Sequence, residues 1–267
     1  VMVPGLLVVV SDHTALWMIG RFFAGLGIGV SYIIAESWVA GRAHFSIRMT
    51  ALSIYVSATM LGMMAAQALL TVIDPASTLA LIIGLLIVVG ATFLMAIAPT
   101  PSVRAVKKTV GTPSWISVMR EAPLPMMGVC ISGFLFSIFI TFYPAYGLDR
   151  KMTSDDVPLL GAVVTASSTL VQPALGRLVE RMAPLPVLIV LMMMSALAAG
   201  GLVMIHDVGL PLYGLIALWG VSALTTYPLF GGLAYKSLPH HSVFDVALAI
   251  LVAYGLAEII APRLVGL

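Results

Sequence analysis

Cysteine is almost missing from this chain: Cys130 is the one thiol among 267 residues. A disulfide framework is therefore excluded, and cysteine usage says nothing about compartment. Charge is scarce too. Lys and Arg number 13, Asp and Glu 11, and together they make up 9% of the chain with a net charge of +2. So small a balance offers no basic surface for nucleic acid. His13, His44, His206, His240 and His241 show no metal spacing of the HExxH kind. Paired catalytic acids and a nucleophile beside a base are lacking as well. No enzymatic activity, metal or cofactor is expected from such a residue set. There is no signal-peptide pattern at the start. Both ends read as if cut within or just after spanning segments, so the chain is expected to be a fragment.

What is plentiful is apolar. Hydrophobic residues make up 61% and mean hydropathy is +1.11, where soluble domains are about 45–50% apolar. A water-soluble globule could not hide that much surface, so the expected solvent is a lipid bilayer. The 24 glycines and 16 prolines suit packed membrane helices.

A spanning helix needs about 20 apolar residues at about 1.5 Å rise each. On that measure the sequence predicts one partial span at 1–10 and complete spans at 15–40, 48–73, 78–98, 124–148, 157–177, 185–205, 211–235 and 243–265. The expected fold class is all-α, a polytopic membrane protein of two helical bundles. The longest polar stretch, 99–122, carries Arg104, Lys107, Lys108 and Arg120. It reads as a solvated linker between an N-terminal bundle (1–98) and a C-terminal bundle (123–267), with a peripheral amphipathic helix near 114–120 as the alternative.

Alternate loops divide the basic residues unevenly. Arg42, Arg48, Arg104, Lys107, Lys108, Arg120, Arg177, Arg181 and Lys236 fall on one side, and Arg150 and Lys151 on the other. The richer side is expected to be cytoplasmic, which puts the central linker in the cytoplasm.

Charges within spans need a reason. Arg21 and Glu36 share the stretch 20–38 with Gly25, Gly27 and Gly29. They are about 22 Å apart along a helix and about 60° apart around it, so they cannot touch. Arg21 either snorkels to the outer headgroups or faces a central cavity, where it holds an anion or tunes a nearby acid. Glu36, at the inner boundary, either pairs with Arg42, Arg48 or a base beyond this chain, or takes part in proton transfer. The Gly25-to-Gly29 spacing reads as a close helix contact. Tyr55 and Gln67 on the 48–73 span either tie helices together or line a wet path. Gln172-Pro173 lies deep in the next bundle. Gly176 reads as a turn leading into Glu180 and Arg181 in a tight loop, where an acid and a base can make or break salt bridges at a gate. Tyr227, Thr225 and Thr226 either contact cargo or satisfy carbonyls freed by a kink at Pro228. Glu258 is the acid placed deepest in a span. It either carries a proton or pairs with Arg263 or Arg21.

Two of these runs carry a resemblance. Arg21-x-x-x-Gly25-x-Gly27 resembles the fourth-helix motif of the major facilitator superfamily. Gly176-x-Leu178-x-Glu180-Arg181 resembles that superfamily's signature loop in its C-terminal copy. Glu36-Ser37, Arg48, Tyr55, Gln67, Tyr227-Pro228 and the stretch 254–262 are similar to a small bacterial branch of permeases. The resemblance covers essentially the whole chain, from late helix 3 to helix 11. The ending Met182-Ala183-Pro184 lacks the extra basic residues of the full loop motif.

The resemblance implies a secondary active transporter of the bacterial inner membrane that moves a small solute by alternating access; proton coupling is expected from the acids within the spans. A non-transporting scaffold or receptor on the same fold is the alternative. A substrate or proton pathway is expected through Arg21, Glu258, Tyr55, Gln67 and Tyr227, with Glu258 standing where relatives usually carry a small residue, and gating is expected from Glu36, Gly176, Glu180 and Arg181. The expected partners are the lipid bilayer, a small-molecule substrate and protons, with no nucleic acid. The expected state is a monomer.

Overall fold

A computed structural model describes residues 14–70, 72–73, 77–97, 114–153 and 156–266. Among them ten α-helices follow one another: α1 (Thr14–Arg42), α2 (Arg48–Leu70), α3 (Thr78–Ile97), α4 (Ser114–Glu121), α5 (Pro123–Asp149), α6 (Val157–Arg181), α7 (Pro184–Met204), α8 (Leu210–Leu224), α9 (Thr226–Ser237) and α10 (Val243–Val265). A 3-10 turn, Phe45–Ile47, separates α1 from α2. Strands do not occur among the described residues. Seven helical segments among them are long and apolar enough to cross a membrane, with Leu210–Ser237 acting as a single run. The expected span at 1–10 and most of the linker lie outside the described residues.

The all-α polytopic architecture agrees with the sequence. Its faces are those of a protein in lipid: large side chains such as Leu170, Leu197 and Phe22 stay exposed while polar ones such as Ser132, Thr165 and Gln172 are buried. Prolines sit inside α5, α6 and α10 at Pro144, Pro173 and Pro262. Neighbouring helices tolerate these breaks when side chains serve the freed carbonyls.

The chain divides into two compact units. One consists of 1–34 and 66–110. Within it the Arg21 guanidinium lies over the Trp17 ring, 5.5 Å from its centre, and the Ser31 hydroxyl donates to the Gly27 carbonyl at 2.8 Å. A Cβ at Gly25 would meet nothing within 4 Å, so among the described residues this glycine makes no close helix contact.

The other unit consists of 35–65 and 111–267. In it α5 packs along α10, and α6 and α7 both pack on α8. Glycine sets the closest approaches: a Cβ at Gly133 would stand 2.6 Å from the Tyr254 carbonyl oxygen, and one at Gly220 2.6 Å from that of Val164. A core of Phe139, Val157, Leu160, Val164, Leu212 and Ile216 joins α5, α6 and α8. Arg150 closes the same end. Its guanidinium donates to the carbonyls of Leu202 and Ile205, at the end of α7, where a cation also complements the helix dipole.

Two sequence expectations sharpen here. The stretch near 114–120 takes the second of its two readings, a helix, and forms α4. Val118 is fully buried and α4 rests against α10. The buried Val118 on its apolar face is what a solvated linker lacks. Gly176 to Arg181 is not a loop but the last turn of α6, and no glycine there has a positive φ.

Candidate functional site

In the larger unit, polar clusters lie where the N-terminal helices α1 and α2 meet the C-terminal helices α6 and α9.

The first is a seam between α2 and α6. Gly176 is buried against α2; a Cβ there would stand 2.7 Å from Ser53 Oγ and 2.9 Å from Thr50 Cα. One turn further on, Glu180 reaches the start of α2. Its Oε1 accepts from the Thr50 N–H at 2.9 Å and its Oε2 from the Thr50 hydroxyl at 2.5 Å. The first N–H groups of a helix have no partner within it, and the helix dipole favours a negative charge beside them. A carboxylate from another helix thus caps α2, an interaction worth up to about 2 kcal/mol in partly buried settings.

The seam continues deeper. Pro173 has no N–H for the Thr169 carbonyl four residues earlier, and the Ser57 hydroxyl stands 3.3 Å from that oxygen. The same hydroxyl lies 3.0 Å from Gln172 Oε1. Pro228 likewise leaves the Leu224 carbonyl without its helical donor, and Gln172 Nε2 points at it from 3.4 Å. The break between α8 and α9 falls at Thr225. Thr225 and Thr226 turn their hydroxyls back to the carbonyls of Val221 and Ala223, both at 2.6 Å. Neither is the Leu224 carbonyl that Pro228 frees, and the Thr226 hydroxyl also lies 2.8 Å from Ser132 Oγ. Ser53 Oγ and Thr169 Oγ1 are buried on the same seam with no hydrogen-bond partner among the described residues.

The second cluster surrounds Glu36. This carboxylate is 5% exposed. Tyr227 donates to its Oε2 at 2.6 Å and Tyr235 to its Oε1 at 3.2 Å. The Tyr254 ring meets the Tyr227 ring edge-on at 4.8 Å, and the Arg48 guanidinium lies 6.0 Å from the centre of the Tyr235 ring. The expected ion pair with Arg42 or Arg48 is replaced by two phenols. Arg42 instead covers Trp38 at 5.1 Å. Glu36 faces α9, and α9 presents tyrosines where the sequence reading looked for a base.

The remaining candidates are dispersed. Glu258 is half-buried on α10 and its carboxylate makes no hydrogen bond or ion pair among the described residues, while its backbone carbonyl accepts from Ser137 at 2.9 Å. Arg21 belongs to the other compact unit. Arg181 is exposed and forms no ion pair among the described residues. Tyr55 is half-buried on α2, and the Gln67 side chain lies outside the described residues. Sequence reasoning missed Thr50, Ser53, Ser57 and Tyr235. Serines and threonines at 50, 53 and 57 keep helical spacing on one face of α2, which was the available signal. Tyr235 had none.

A family model described as Major Facilitator Superfamily matches residues 1–262. Proteins named "Uncharacterized MFS-type transporter YcaD" from Salmonella heidelberg (strain SL476) and Salmonella agona (strain SL483) are each 26% identical to the chain over 255 residues. The version from Salmonella arizonae is 25% identical over 255 residues. These matches cover 92% of the chain and 63% of each relative, so the chain spans under two thirds of their length.

Proposed function

The chain belongs to the major facilitator superfamily, and on that premise we propose that it is the greater part of a secondary active transporter working by alternating access. The two bundles, 1–98 and 123–267 joined by 99–122, rock about a site near the midplane and open it to one side at a time. The observation that carries the reading is the α2–α6 seam. Gly176 lets the helices touch, and Glu180 caps α2 from the opposite bundle. An interface made of one short-range packing contact and a few hydrogen bonds can be remade, whereas an apolar core cannot. The excess of Lys and Arg at that end supports a position on the cytoplasmic side of a bacterial inner membrane, and the seam is then a gate closed toward the cytoplasm. The bacterial relatives support that location.

The cargo is a small solute, with proton coupling. Intramembrane acids mark ion and proton pathways, and Glu36 and Glu258 are the two available. Of these, Glu36 is the better placed, because it links α1 to α9 and so feels the movement of one bundle against the other. The test begins with metabolite profiling of a deletion strain to name the solute. Uptake into vesicles is then measured with and without a proton gradient for the wild type, Glu36→Gln and Glu258→Gln. The expected result is that Glu36→Gln removes at least about tenfold of the gradient-driven rate, equal to about 1.4 kcal/mol, while Glu258→Gln keeps most of it. Gradient-independent uptake in the wild type would overturn the coupling. No solute movement from any variant or the wild type would favour a scaffold or receptor.

A further inference from the structure

Away from the seam, three ligand-type side chains converge where α4 meets the turn between α9 and α10. Glu121 is the last residue of α4, and His240 and His241 lie in that turn. Glu121 Oε2 stands 2.9 Å from His240 Nε2 and 3.1 Å from His241 Nε2, and the three donor atoms all lie within 4.8 Å of one another. We propose that Glu121, His240 and His241 form a binding site for a divalent first-row transition cation of the Zn2+ class, which clamps α4 to the α9–α10 turn.

The donor set selects the cation. Two imidazoles and one carboxylate suit zinc and its neighbours in the series, whereas magnesium and calcium take oxygen ligands. The geometry needs little adjustment. Zinc bonds of about 2.0–2.1 Å in a tetrahedron set neighbouring ligand atoms about 3.3 Å apart. The carboxylate-to-imidazole distances are within a few tenths of an ångström of that figure, and rotation of the exposed His240 ring adjusts the third. The carboxylate is already oriented: the Ser117 hydroxyl donates to its other oxygen, Oε1, at 2.6 Å. Outer-shell hydrogen bonds of that kind fix the ligand and sharpen affinity. The side chain of His240 is 63% exposed and that of Glu121 42%, so an ion reaches the cluster from solvent. The fourth position is left to water.

The ligands come from two segments far apart in sequence, so the cation would act as a cross-link. It would hold the helix that ends the interbundle stretch against the C-terminal bundle. This role is independent of cargo and of proton coupling.

The test uses the full chain in nanodiscs, carrying an affinity tag without histidine, titrated with Co2+ and followed by its visible d–d absorption. One Co2+ per chain is expected, displaced by Zn2+ and not by Mg2+. His240→Ala and Glu121→Gln should each weaken binding at least tenfold, and Ser117→Ala should weaken it less. His44→Ala, at an exposed histidine elsewhere, should leave it unchanged. Hydrogen exchange in α4 should slow when Zn2+ is added to the wild type and not to His240→Ala. Absence of stoichiometric Co2+ binding, or equal binding by wild type and the His240→Ala, His241→Ala double variant, would overturn the proposal.

Discussion

Gly176→Leu is expected to reduce transport by at least an order of magnitude while leaving the helices formed. The reason is local. A bare Cβ at 176 already stands 2.7 Å from Ser53 Oγ and 2.9 Å from Thr50 Cα, closer than any ordinary contact. The serine hydroxyl can rotate away, but the Thr50 Cα is backbone and must carry α2 with it. Overpacking of this kind costs about 1–3 kcal/mol. Applied to a two-state gate, that is roughly a 5- to 150-fold shift away from the closed seam. Since α6 is helical through Gly176, leucine suits the local backbone and the penalty falls on the interface. Gly176→Ala should show a smaller effect. Adding Ser53→Ala to Gly176→Ala should restore part of it by removing the nearer of the two contacts. Gly255→Ala is the control, because a Cβ there meets nothing within 4 Å. Circular dichroism and uptake of the identified solute check all four. An unimpaired Gly176→Leu would mean that the seam takes no part in the cycle.

The second large effect is expected at Glu36. Glu36→Ala removes the acceptor of both Tyr227 and Tyr235 and leaves two phenols without it in a buried site. An unpaired buried polar group costs about 1–3 kcal/mol, so the unit should lose stability on that scale for each phenol that finds no new partner. The 2.6 Å bond of Tyr227 should matter more than the 3.2 Å bond of Tyr235. Denaturation in detergent, followed for Glu36→Ala, Tyr227→Phe, Tyr235→Phe and the paired variants, provides the double-mutant cycles. Coupling of about 0.5–3 kcal/mol between Glu36 and Tyr227 is expected for groups in direct contact. Additive effects would show that the two do not act together. Because this carboxylate ties α1 to α9, the same substitution should also loosen the contact between N-terminal and C-terminal helices.

Much of the architecture was legible from hydropathy alone, because a bilayer imposes one length and one polarity on every span. What hydropathy cannot register is why a particular small or polar residue sits where it does. Gly176 looked like a turn because glycine often makes turns; its use here is the missing Cβ, which only the position of α2 reveals. Glu36 looked like half of an ion pair, and nothing local indicates that tyrosines 191 and 199 residues later supply its donors. Pro228 gave a readable hint of a break, and the break is there, yet Gln172 pointing at the freed carbonyl depends on packing between distant helices. The short α4 was legible only as the alternative to a solvated linker, since a few apolar residues in a polar stretch do not decide the matter until α10 is seen beneath them.

Opening and closing of the α2–α6 seam, as proposed, can be followed directly. Ser57 lies within it, 6% exposed and bonded to Gln172. With Cys130→Ser removing the native thiol, Ser57→Cys can be labelled by a membrane-impermeant thiol reagent in inside-out vesicles, without knowledge of the solute. Slow labelling of the Ser57→Cys variant is expected, accelerating at least about tenfold when Gly176→Leu wedges the seam apart. Labelling at the same rate in both backgrounds would contradict it.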